Sequence, residues 1–154
     1  MLSLLMQRVG RKPKEFHPCF LVGYYENGVS SSHMNRFVLF VDYEKRSIQP
    51  RDVAAVHQLN GKVVDVHLLG KVTVPVRGHL SLPKKWVKEA MLKVEGTLTK
   101  ESLRESLEAK LFELTSEPYE GPEKTTTLEI YEGIIVNRSK EQIFAQPREP
   151  GSSW

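Results

Sequence analysis

Gly70 to Leu98 read G-K-V-T-V-P-V-R-G-H-L-S-L-P-K-K-W-V-K-E-A-M-L-K-V-E-G-T-L. Val72, Val74 and Val76 alternate with Lys71, Thr73 and Pro75. That period of two belongs to a strand. Arg77-Gly78 supplies a turn in which the glycine is free to take positive φ. His79 to Leu82 alternates again and predicts a short return strand, which Pro83 ends. Lys84 to Leu92 then predicts a short helix, since a proline at or just before the first helical turn removes an N–H that has no intrahelical partner anyway. The stretch therefore predicts a hairpin followed by a basic helix. A hairpin of this size is unstable alone and must pack on a larger sheet.

Upstream, Val64, Val66 and Leu68 alternate with Asp65 and His67, and Gly70 interrupts the alternation as a turn or bulge. Two nearly continuous apolar runs come earlier, Cys19 to Tyr25 and Arg36 to Tyr43, separated by a polar Asn27-Gly28 and serine-rich loop. They predict strands covered on both faces. Lys45 to Asp52 is charged, contains Pro50 and predicts a turn. Downstream, Leu103, Leu107, Leu111 and Leu114 fall on one stripe, so Lys100 to Leu114 predicts an amphipathic helix with Thr99 as its N-cap. Thr125 to Val136 predicts a last strand. The expected fold is α+β: a mainly antiparallel sheet or small barrel of about five to six strands, with one short and one longer amphipathic helix.

The 154 residues suit one domain, expected over residues 15–145, with a basic arm at 1–14 and a disordered tail at 146–154. With 40% apolar and 27% charged residues the composition excludes a wholly disordered chain or a collagen. No apolar run approaches the roughly 18 residues of a membrane-spanning helix, and the leading Leu2 to Met6 is too short for a secretory signal. One cysteine, Cys19, allows no intramolecular disulfide, so a reducing, cytoplasmic setting is expected.

Catalytic patterns are scarce. Cys19, inside an aromatic strand, reads as a small buried hydrophobe rather than a nucleophile. His17, His33, His57, His67 and His79 contain no i, i+4 pair for a helical zinc site. Gly61, Gly70 and Gly78 are spaced as turns, not as a phosphate loop. No catalytic residue, metal or cofactor is expected, and the protein reads as non-enzymatic. Phe37 and Phe40, with Tyr24 and Tyr25, offer stacking groups for RNA in principle, but their runs are apolar enough to be core.

Charge is the remaining signal. The net +3 divides into +7 over residues 1–97, from 15 basic against 8 acidic residues, and −4 over 98–154, from 7 against 11. Arg77, His79, Lys84, Lys85 and Lys88 crowd the turn and the start of the short helix. Two copies of five basic residues reach the six to ten phosphate contacts of a DNA-binding surface. Residues 61–98 are thus the candidate hairpin-helix nucleic-acid-binding element, and the acidic C-terminal part is a candidate surface for a protein partner.

Arg77-Gly78-His79-Leu80-Ser81-Leu82-Pro83-Lys84, followed by Trp86 and Leu92, resembles the looped-hinge DNA-binding element of AbrB-like and MazE-like (SpoVT-AbrB) transcription regulators and antitoxins. The resemblance covers residues 70–98. It departs from the family pattern at Met91 and at Glu95-Gly96, and it lies far from the chain's start. It implies a homodimeric swapped-hairpin barrel, with Arg77, His79 and Lys84 presented to DNA. The expected function is therefore a DNA-binding regulator or antitoxin-like factor. The alternative is an interaction subunit of a larger viral or cellular assembly with no nucleic-acid specificity.

Overall fold

The computed structural model describes residues 15–24, 35–52, Val56 and 61–137. Five strands, β1 (Glu15–Tyr24), β2 (Asn35–Asp42), β3 (Ser47–Asp52), β4 (Lys62–Pro75) and β5 (Thr125–Asn137), form one antiparallel sheet in the order β3-β2-β1-β5-β4. Two helices, α1 (Leu82–Leu92) and α2 (Lys100–Ser116), lie between β4 and β5 in the chain. The fold is α+β, as the patterning predicts. The expected arm at 1–14, the loop after Tyr24 and the tail at 146–154 lie outside the described residues.

The two apolar runs become β1 and β2 because aromatic and β-branched side chains suit a pleated surface packed on both sides. Phe20, Val22, Phe37, Leu39, Leu128 and Ile130 face the helices in one buried cluster. Cys19, Leu21, Val38, Phe40 and Ile135 form a second cluster on the opposite face, with Val56. The aromatics Phe37 and Phe40 are buried and Tyr24 packs on the core, so the stacking reading for these three is replaced by core packing. Their apolar neighbours on both sides exclude a base.

Two local expectations are corrected. Residues 47–52 form an edge strand rather than a turn, pairing Leu39 with Pro50. An edge tolerates proline because one row of its N–H groups is not needed for the ladder. The predicted return strand at His79–Leu82 does not form: His79–Ser81 is a 3-10 turn that leads into α1. Gly78 takes φ 72°, and both the amide N and the Oγ of Ser81 donate to the Gly78 carbonyl, which winds the chain instead of extending it. Without that strand residues 64–82 form no hairpin, and His67 and His79 do not face each other across one.

Gly70 does mark a bulge. Register shifts occur between Leu68 and Gly70 and between Val64 and His67, and Asp65 at the latter takes φ 51°. Gly70 also sits under α2, where an added Cβ would lie 3.2 Å from the Leu111 Cβ. The missing side chain lets the leucine stripe approach β4.

The stripe itself behaves as predicted, with Leu103, Leu107 and Leu111 buried and Leu114 packed against the same cluster. Thr99 is the N-cap. Its hydroxyl accepts from the Ser102 amide at 3.0 Å while the Thr99 amide donates to Ser102 Oγ at 2.9 Å. Thr99→Ala removes one half of this box and is expected to lower the unfolding free energy by about 1 kcal/mol. A urea midpoint unchanged by the substitution would show that the cap is not needed.

Candidate nucleic-acid interface

β4 ends at Pro75, and the next residues turn sharply. The Val76 amide donates to the Lys124 carbonyl at 2.9 Å, which ties the turn to the start of β5. Arg77 projects from it with 91% of its side chain exposed and lies 3.9 Å from Glu123 Oε1. An ion pair so long and so solvated contributes little. Its guanidinium remains available to another anion.

His79 behaves differently. Its Nδ1 is hydrogen-bonded to the Val76 carbonyl, and its ring meets Tyr24 edge-on at 5.4 Å. The side chain is half-buried and holds the turn against β1. The structure thus places His79 beside the basic residues but engages one of its ring nitrogens in the fold.

α1 is amphipathic. Pro83, Trp86, Val87, Ala90 and Met91 are buried, and Lys85 and Lys88 are exposed on the opposite side with Lys84 half-buried beside them. Spacings of three and four residues put the three lysines on one stripe of the helix. The first turn holds no acid, and Pro83 is its second residue, after Leu82. Among the described residues, Lys84, Lys85 and Lys88 have no carboxylate within ion-pair distance, whereas Lys71, Arg104 and Lys110 do. Cations near a helix N-terminus oppose the macrodipole by about 0.3–1 kcal/mol each. Lys84 and Lys88 also repel as an i, i+4 like-charge pair.

Two contacts anchor α1. Arg46, in the turn between β2 and β3, donates from Nη1 to the carbonyls of Met91 and Val94 at 3.2 Å, and from Nη2 to that of Gly96. A cation there satisfies carbonyls left open at the helix end. At its side, α1 meets α2 through Ser106 Oγ, which donates to the Ala90 carbonyl at 2.8 Å, and through Lys110 and Glu89 at 3.2 Å. The lysine stripe is therefore held in a fixed orientation. Arg46 could not be foreseen as this clamp, because its partners lie 45 to 50 positions away in the chain.

Compared with protein-family models, curated proteins and solved structures, the chain finds no match. The swapped hairpin implied by the AbrB-like wording has no second strand here, because residues 79–81 are the 3-10 turn. What remains of that wording is an exposed Arg77 in the turn and Lys84, Lys85 and Lys88 on the helix that follows it.

Other chemistry is thin. Cys19 is buried, and burial foremost, with the charge of Glu132 adding to it, pushes its thiol up to about 12. It stays a neutral thiol at physiological pH, unsuited to nucleophilic attack. Burial likewise raises the Tyr43 hydroxyl, so it stays protonated. Among the described residues no three His, Cys, Asp or Glu side chains gather where a metal ion could be held. Among them too, no helix is long and apolar enough to cross a membrane.

Proposed function

We propose that the chain is a non-enzymatic nucleic-acid-binding protein that takes duplex DNA on the surface formed by Arg77, Lys84, Lys85 and Lys88. The observation that carries this reading is the lysine stripe on α1, unpaired among the described residues, with Lys84 and Lys85 in the first turn where positive charge is least stable. A polyanion offsets that cost by neutralising all three ammonium groups at once. A regulatory or antitoxin-like role, a homodimer that doubles the number of contacts, and a reducing cytoplasmic setting extend the same reading. The resemblance of residues 77–84 supports DNA over RNA.

Four phosphate contacts per copy correspond to a log–log salt slope of about −3.6, at about −0.9 per contact. Affinity for a duplex is then expected to fall about a hundredfold between 50 and 200 mM salt. Fluorescence anisotropy with a labelled duplex measures it. A flat profile, or no binding at the lower salt, removes the reading. A second reading, a subunit that docks on a protein partner, draws on Val66 and Leu68, which are 47% and 48% exposed on β4 at the sheet edge. Salt-insensitive capture by a partner, with no DNA binding, would favour it.

A further inference from the structure

The apolar cluster under α1 and α2 stops short of one end of the sheet. Phe16 pairs with Val136, and Pro18 with Ile134, which pairs in turn with Val64. Phe16 and Pro18 alternate in phase with the buried Phe20, so all five stand on the helix side of the sheet. Yet Phe16, Val64, Ile134 and Val136 belong to neither apolar cluster. Phe16 is 62% exposed, and the other four are half-buried. They form a patch of adjoining apolar side chains, with the exposed Lys62 at its outer corner beside Val136.

The patch is small. Three strands at about 4.8 Å make it about 10 Å wide, and two rows two residues apart make it about 7 Å deep. A stable dimer buries about 800 Å² on each partner, far more than such a patch offers. One helix, about 10 Å across, covers it. The next row inward holds Glu132, opposite Phe20. Among the described residues its buried Oε2 has no hydrogen-bond partner, and its Oε1 lies 3.9 Å from Arg104. A buried acceptor left in this state favours an occupant that carries donors and positive charge.

The chain supplies such an occupant beside the patch. Residues 1–14 lead directly into Glu15 and Phe16 and carry Arg8, Arg11, Lys12 and Lys14 with no acid. Leu2, Leu5, Met6 and Val9 fall at i, i+3, i+4 and i+7, the spacing of one helix face. Helix over residues 2–9 would be about 12 Å long. Gly10 to Lys14 reach up to about 17 Å when extended, enough to carry that helix across the three strands. So short a tether gives the segment an effective concentration in the millimolar range, ahead of a free partner. We infer that residues 2–9 form a helix that docks on this patch of the same chain through Leu2, Leu5, Met6 and Val9. The inference does not rest on DNA binding, since neither Arg77 nor α1 takes part in the patch.

Disulfide formation in the full-length chain tests it, with Cys19→Ala as background so that only introduced thiols react. Ile134→Cys, at the centre of the patch, is combined in turn with Leu5→Cys, Met6→Cys and Gln7→Cys. Gln7 has nearly the same tether but points away from the apolar face of the helix. A segment that merely collides with the sheet therefore gives three similar rates. Docking is expected to make the faster of the Leu5→Cys and Met6→Cys pairs form at least about tenfold faster than the Gln7→Cys pair, because a disulfide needs close Cα atoms. The bridge should lie within one chain. Leu5→Asp with Met6→Asp is expected to lower the urea midpoint by about 0.5 M, whereas Gln7→Asp leaves it unchanged. Circular dichroism confirms that each variant is folded. Similar rates for all three pairs overturn the inference. So do bridges that join two chains, which assign the patch to a second copy, and a urea midpoint insensitive to the double substitution.

Discussion

Leu107→Ala lowers the unfolding free energy by about 3 kcal/mol and the melting temperature by about 9 °C, at about 3 °C per kcal/mol for a chain of this size. Leu107 is completely buried at the centre of the stripe, between Leu103 and Leu111. Removing its isobutyl group leaves a cavity between α2 and the sheet. The neighbours cannot close it, because α2 is already seated against Gly70 and capped at Thr99. On the same helix Phe112 is 76% exposed. Phe112→Ala removes more carbon yet is expected to change stability by less than about 0.5 kcal/mol. Denaturation of both variants provides the comparison. Equal losses would mean that α2 does not bury the leucine face, and the assignment of the core would fail with it.

The contrast between Leu107 and Phe112 shows what a one-dimensional pattern can carry. A spacing of four residues names the buried face of α2 because side chains four apart share a helix face whatever the rest of the chain does. The runs at β1, β2 and β5 are legible for the same reason, their period being local. Ser47–Asp52 is not legible: Pro50, Arg51 and Asp52 look like a turn, and only pairing with β2 makes them an edge strand. His79–Leu82 misleads in the other direction. Its alternation H-L-S-L satisfies a strand template over four residues, but the Gly78 carbonyl captures both donors of Ser81 and winds the segment. Of the candidate interface, the basic residues could be named from composition. Their shared stripe follows from helical spacing, and their lack of acidic partners emerges only in three dimensions.

Lys84→Glu, Lys85→Glu and Lys88→Glu combined are expected to move binding and stability in opposite directions. Three of the four proposed phosphate contacts disappear, so the salt slope should fall from about −3.6 to about −0.9. Affinity at 50 mM salt should drop by at least about a hundredfold, because three repulsive carboxylates also replace the attractive charges. Folding should gain. Glutamates at 84 and 85, in the first turn of α1, align with its macrodipole where the lysines oppose it, which is worth about 0.3–1 kcal/mol per side chain, while position 88 lies beyond that turn and adds little. The buried face of Trp86, Val87, Ala90 and Met91 is untouched. A variant about 1 kcal/mol more stable that no longer binds DNA identifies the lysines as placed for an external anion at the expense of the fold. If stability falls instead, the lysines hold the structure together through contacts within the chain. If duplex binding persists with its slope unchanged, the interface lies elsewhere and the lysine stripe is only a solvated helix face.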